Sequence, residues 1–243
     1  MSYIVALELG QPSDSSALAV VGTPTLRVAR WDVRSAVWTN DEPDSFDYGR
    51  AHYFTSHVPI FTTPDGKETE DHPPLVHELR HLDRWRAEPY PRLVDRTREV
   101  LARLPDGTPL VLDVTAVGAA VVGLFDALRP DLVRIVAAGA ETRDGRTTRV
   151  PKRDLVGALA VLFETGRLRI AAGLPHVSVL TTELRRFRAR VGPAPESADD
   201  WRDRDEDDLV LAVALAAWHA ERHAHVPGAW SVGEPEMSWG ATF

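Results

Sequence analysis

The stretch Pro109-Leu110-Val111-Leu112-Asp113-Val114, PLVLDV, is apolar except for one carboxylate near its end. A half-buried strand alternates polar with apolar residues, whereas a short unbroken apolar run is the pattern of a central strand covered on both faces. Before it, Pro91 to Leu104 repeats residues of low polarity at helical spacing (Leu93, Val94, Thr97, Val100, Leu101, Leu104) and stops at Pro105-Asp106-Gly107. After it, Val117 to Leu128 reads as a helix and Leu132 to Val136 as a second buried strand. Strand, helix and strand in that order predict a parallel pair joined by a right-handed crossover, and so an α/β fold.

Working outward, Tyr3 to Leu9 alternates and is rich in β formers, with Glu8 near its C-terminal end. Gly10-Gln11-Pro12-Ser13-Asp14 is a turn, Ala17 to Val21 a returning strand, and Leu26 to Val33 a third. The chain is therefore expected to open as an antiparallel meander. Residues 35–74 are polar, hold Pro, Asp, Gly and His, and show no sustained period, which predicts an irregular insertion. Leu75 to Trp85 is read as a strand in preference to a short helix. Ala138 to Val150, with Asp144-Gly145 at its centre, reads as a hairpin or a flexible excursion, Lys152 to Glu164 is a helix ended by Gly166, and Leu168 to Ala171 is strand-like. A helix over 175–191, a Pro- and Asp-rich linker over 192–204 and a helix over 207–223 complete a single domain, 1–225, followed by a tail, 226–243.

The 243 residues carry a net charge of −8 and no cysteine. Disulfide frameworks and thiolate metal sites are thereby excluded, and a polycation that coats nucleic acid indiscriminately is disfavoured. No apolar run approaches the roughly 18 residues of a membrane span. The N-terminus reads as neither secretory nor targeting, so the expected location is the cytoplasm.

Three acids occupy positions where chemistry could use them: Glu8 ends the first strand, Asp113 ends the central strand, and Asp207-Asp208 opens the last long helix. Carboxylates at the C-terminal ends of neighbouring strands converge on the edge where open α/β sheets bind ligands. Packed together without a cation they would raise one another's pKa. An oxygen-rich, cysteine-free set suits Mg²⁺ or Mn²⁺, and a pair of such ions about 3.5 to 4 Å apart activates water for phosphodiester hydrolysis. Asp14 is a further candidate acid, although a turn aspartate commonly bonds its own backbone. In Asp205-Glu206-Asp207-Asp208, DEDD, the first two are read as solvated, Asp208 as facing inward with Ala212, Leu215 and Ala216, and Asp207 as a second ligand or the helix cap.

The segments YIVALELGQPSDSSALAVV (3–21), HLDRWRAEPYPRLVDRTREVL (81–101), VLDVTAVG (111–118), VPKRDLVGAL (150–159) and DDLVLAVALAAW (207–218) stand in the order seen in the nuclease domain of phage terminase large subunits, which this chain resembles. The resemblance implies an RNase H-like, integrase-type fold: a central mixed sheet, antiparallel meander plus parallel strands, flanked by helices. It implies a metal-dependent DNA endonuclease with two Mg²⁺ or Mn²⁺ ions, Asp113 bridging them while Glu8 and Asp208, with Asp207 beside it, hold one each. Lys152, Arg153, Arg149 and Arg146 are then expected to contact DNA phosphates. Two positions depart from the pattern: Glu8 stands where aspartate is usual, and Ala116 follows Thr115 where glycine is common.

The chain has no G-x-x-x-x-G-K-[ST] phosphate loop, so the expected protein is a nuclease domain without its packaging motor. A separate packaging ATPase, portal or other phage protein is the implied partner, in the cytoplasm of a bacterial host. The rival expectations are a junction resolvase-like nuclease and a decayed accessory packaging protein. Arg185, Arg186, Arg188 and Arg190 read as a solvated helix face, His219, His223 and His225 as surface residues, and Trp201 and Trp218 as packing residues.

Overall fold

The computed structural model describes residues 1–24, 28–38, 52–62, 67–69, 74–190 and 207–223. Strands β1 (Ser2–Glu8) and β2 (Ser15–Thr23) pair antiparallel as expected. The turn between them requires Gly10, because a Cβ there would stand 2.1 Å from the Ser15 carbonyl oxygen. Residues 25–74 then belong to a second compact unit. Within it β3 (Val28–Trp38), β4 (His52–Thr62) and β5 (Glu68–Thr69) form an antiparallel sheet of their own. Two expectations are corrected here. The strand expected over 26–33 is not the third of the opening meander, and 35–74 is not irregular throughout, since strands need no amphipathic period where paired ribbons satisfy the backbone. The linker with Trp201, Asp205 and Glu206, together with the tail and His225, lies outside the described residues.

The first unit continues with β6 (His77–Arg86), α1 (Tyr90–Leu101), β7 (Leu110–Asp113), α2 (Ala119–Leu124) and a 3₁₀ turn (Asp126–Leu128). There follow β8 (Asp131–Val136), β9 (Thr142–Asp144), β10 (Thr147–Pro151), α3 (Lys152–Glu164), β11 (Leu168–Ile170), α4 (Val177–Arg190) and α5 (Asp208–Arg222). The sheet order is β11-β6-β2-β1-β7-β8-β10-β9. β6, β2 and β1 make the antiparallel meander, and β1, β7, β8 and β10 run parallel. This is the expected mixed sheet, an antiparallel meander plus parallel strands, flanked by helices. The expected helix over 117–128 is shorter: α2 buries none of its residues, while Phe125 beyond its end is fully buried.

Alternation along the central strands splits the core in two. Val5 and Leu7 of β1 face α1, packing with Leu93, Val94 and Phe125. Ile4 and Ala6 face the other way, with Ala17, Ala19 and Val111, onto α5. The small side chains on that face match the alanine-rich α5, buried from Leu209 to Ala220 except for Leu211, which is partly exposed. A helix apolar nearly all round is a core helix, sandwiched here between the sheet, α3 and α4. No helix among the described residues is long and apolar enough to cross a membrane.

The far end of α5 corrects the reading of His219, while His223 is exposed as expected. His219 is 5% exposed, Nε2 lies 3.2 Å from Asp131 Oδ2, and its ring stacks on His223 with centroids 4.1 Å apart. Its Nδ1 is buried without a partner, which fits the neutral tautomer with Nε2–H donating to Asp131. Burial, then the neighbouring His223, lowers its pKa to about 4. A depressed histidine contributes stability that is present above its unfolded pKa, near 6.5, and lost as pH falls through the folded value. His219→Gln is therefore expected to lose relative to wild type at pH 7 and to recover roughly 3 kcal/mol of that difference by pH 4, measured by urea denaturation. A difference constant with pH would show that folding leaves the His219 pKa unchanged.

Candidate active site

The sheet registers set Arg84, Ala17, Glu8 and Asp113 in one row: Arg84 opposite Ala17, Ala17 opposite Glu8, and Glu8 beside Asp113. Residues of one row share a face, and Ala17 and Val111 place this one under α5. Neighbouring strands stand about 4.8 Å apart, so the carboxyl groups of Glu8 and Asp113 leave the sheet side by side at the C-terminal ends of their strands. Asp113 is 4% exposed, and its Oδ1 accepts the Thr115 backbone N–H at 2.9 Å and the Thr115 hydroxyl. The Thr115 hydroxyl oxygen in turn accepts the Ile135 N–H at 2.7 Å, which ties the carboxylate to β8. Glu8 Oε2 is buried and has no hydrogen-bond partner.

α5 brings the third acid down onto this row. Asp208 Oδ2 accepts a 2.8 Å hydrogen bond from Arg84, and Asp207 Oδ2 lies 3.5 Å from Lys152 Nζ. Neither caps the helix. Asp207 occupies the cap position without a side-chain cap bond. The cap comes from α4: Glu183, 1% exposed, accepts the backbone N–H groups of Leu209 at 3.1 Å and Val210 at 3.2 Å on Oε2. Its Oε1 stands 3.6 Å from Arg84.

The electrostatics follow from burying many acids with few bases. The Glu8 pKa is pushed well above the carboxylate range by burial, then by Asp113, Asp208, Asp14 and Glu183. Burial raises Asp113 to about 6 against the lowering bonds from Thr115, and raises Glu183 to about 7 against the α5 amides and Arg84. Asp208 is also raised by burial, with Arg84 opposing. The Tyr90 phenol, bonded to the Gly10 carbonyl at 3.1 Å, is raised by burial and by Asp14 and Glu8.

Of the residues singled out by sequence, Glu8 and Asp113 are brought side by side, and Asp208 and Asp14 join their electrostatic neighbourhood. Asp207 faces Lys152 at its edge. The expected phosphate contacts each meet a carboxylate of the chain: Arg146 with Asp126 at 3.0 Å, Arg149 with Asp144 at 2.8 Å, Arg153 with Asp154 at 3.3 Å. Sequence reasoning missed Glu183 and Arg84. The signal for Glu183 was a lone acid within TTELRRFRAR, beside Leu184 and one turn from Leu180, on the face an amphipathic helix buries.

The donor set is all oxygen, the ligand class of magnesium and manganese, and a buried, partnerless Glu8 Oε2 beside Asp113 fits a cation of that class. Among the described residues, no three Asp, Glu or His side chains converge on a common ion position as they stand. Asp208 is turned to Arg84 and Asp113 Oδ1 to Thr115.

No family model matches the chain, and no curated protein matches it. Solved structures do. The large terminase nuclease from thermophilic phage G20c aligns at 17% identity and TM-score 0.45, over 88% of this chain and 80% of that one. The same nuclease with bound magnesium aligns at 18% identity and TM-score 0.46, over 89% and 80%. With bound zinc the values are 17% and 0.44, over 88% and 79%.

Proposed function

We propose that this domain is a metal-dependent endonuclease that hydrolyses DNA phosphodiester bonds, of the kind that serves phage DNA packaging. The observation that carries it is the register of Glu8 beside Asp113, with Glu8 Oε2 buried, partnerless and surrounded by Asp208, Asp14 and Glu183. So many buried acids with so little countercharge are expensive unless they serve a cation. Glu8, Asp113 and Asp208 would hold it, with Asp207 at the edge. Two Mg²⁺ or Mn²⁺ ions held there would supply an activated water and charge stabilisation at the leaving oxygen. Thr115 fixes Asp113 by taking Oδ1, which leaves Oδ2 as the oxygen not committed to it.

Lys152 marks where DNA would approach. It opens α3 next to Asp207, and Arg149 and Arg146 precede it along β10 and its turn, so a basic strip leads from the hairpin to the rim of the acid cluster. Phosphate binding there exchanges the present carboxylate pairs for charge-assisted bonds to DNA. With a net charge of −8, productive binding calls on a recruiting partner, a packaging ATPase or portal protein in the host cytoplasm.

The test is cleavage of supercoiled plasmid, linear duplex and four-way junctions with Mg²⁺, Mn²⁺ or EDTA. Nicking and linearisation with either metal, abolished by EDTA, is the expected result. Strong preference for junctions would move the substrate to the resolvase class, and EDTA-resistant cleavage would sink the proposal. One observation favours an accessory, non-catalytic role: Arg84 already neutralises Asp208. Absence of both cleavage and Mn²⁺ binding heat at millimolar metal would establish that second reading.

A further inference from the structure

We infer that Glu183 is a positioning residue of the site, acting as a cap delivered from another helix so that Asp207 and Asp208 keep their carboxylates free of capping. An acid at the cap or first turn of a helix ordinarily bonds the free amides itself and is held against its own backbone. Here Asp207 and Asp208 stand at the start of α5, yet Asp207 makes no cap bond, and the amides of Leu209 and Val210 go to Glu183, 26 and 27 residues earlier in the chain. The substitution has a geometric consequence. Asp208 is the first residue of α5, so its backbone is fixed by whatever holds the next two amides, and its side chain is left to reach Arg84 in the Glu8–Asp113 row. Glu183 also faces Arg84 at 3.6 Å, so one acid sets both the helix start and the arginine on which Asp208 rests. Its burial at 1% excludes a solvent role, and the unbonded Oε1 shows a carboxylate placed for its Oε2 contacts. Removing a group that orients a metal ligand typically costs 10- to 100-fold in metal affinity.

The inference rests on the reading that Glu8, Asp113 and Asp208 take the divalent cation, and two measurements separate its failure from the failure of that reading. The first is amide hydrogen exchange at Leu209 and Val210 without metal. Glu183→Ala is expected to accelerate both by roughly tenfold, and Glu183→Gln, whose carbonyl still accepts an N–H, to stay within a fewfold of wild type. Equal protection in all three proteins overturns the cap. The second is Mn²⁺ calorimetry, with an alanine variant at least tenfold weaker than wild type and the glutamine variant within about threefold. Faster exchange with unchanged Mn²⁺ affinity makes the cap a matter of stability alone and overturns the positioning role. A wild type that binds no Mn²⁺ overturns the positioning role together with the proposed function, while the exchange measurement still decides the cap.

Discussion

Asp113→Asn is expected to lower DNA cleavage by on the order of a thousandfold, because a shared metal ligand supplies several kcal/mol of transition-state stabilisation and each 1.4 kcal/mol is a factor of ten. The substitution isolates charge from shape. Asparagine keeps an acceptor for the Thr115 N–H and hydroxyl, so the bonds that tie β7 to β8 through Thr115 persist. Burial has raised the Asp113 pKa to about 6, which means the fold tolerates the ionised form at a cost. A neutral isostere removes that cost. The asparagine variant should therefore melt at or above the wild-type temperature at pH 8 while losing cleavage and Mn²⁺ affinity together. Wild-type cleavage by a well-folded variant would remove Asp113 from the mechanism.

Much of the sheet was legible because its strands are buried on both faces. PLVLDV is buried from Leu110 to Val114 and YIVALELG from Ile4 to Leu7, and a carboxylate ending such a run is visible against an apolar background. The second unit was not legible for the converse reason. β3 and β4 pair with each other in register from Trp38 with His52 to Val28 with Phe61, and that pairing, not a hydrophobic period, defines them. The site divides along the same line. Glu8, Asp113 and Asp208 follow from strand ends and a helix start, which are local features. Glu183 and Arg84 follow from contacts across 26 and 124 residues of sequence, which no local pattern carries. His219 was misread because a histidine near a helix end is commonly exposed, whereas α5 is enclosed almost to its last turn.

The second large effect falls on stability. Arg84 is the cation bonded to Asp208 and facing Glu183, both largely buried, and removing one partner of such a pair strands the others' charge. Arg84→Met keeps an apolar stem of similar length over Ala17 and loses the guanidinium, with an expected cost of about 3 kcal/mol at pH 8. The sign of its pH dependence follows from what Arg84 acts on. It lowers the pKa of Glu183 and of Asp208, so its contribution exists while those groups are ionised and disappears as pH falls through their folded values. With Glu183 at about 7 even beside Arg84, and higher without it, the cost should be smaller at pH 5, where the Glu183 carboxyl is neutral in either protein and only the pairing of Arg84 with Asp208 is left to lose. A divalent cation supplies the missing charge by another route, so Mn²⁺ at pH 8 should restore much of the lost stability, by about 2.7 kcal/mol at a hundred times its Kd. Urea denaturation of wild type and variant at pH 5 and pH 8, with and without Mn²⁺, decides the matter. An equal loss at both pH values would assign Arg84 to packing through its aliphatic stem. Loss at pH 8 that Mn²⁺ cannot repair would mean that the guanidinium and the cation do not share Asp208, which is the arrangement a non-catalytic protein would keep.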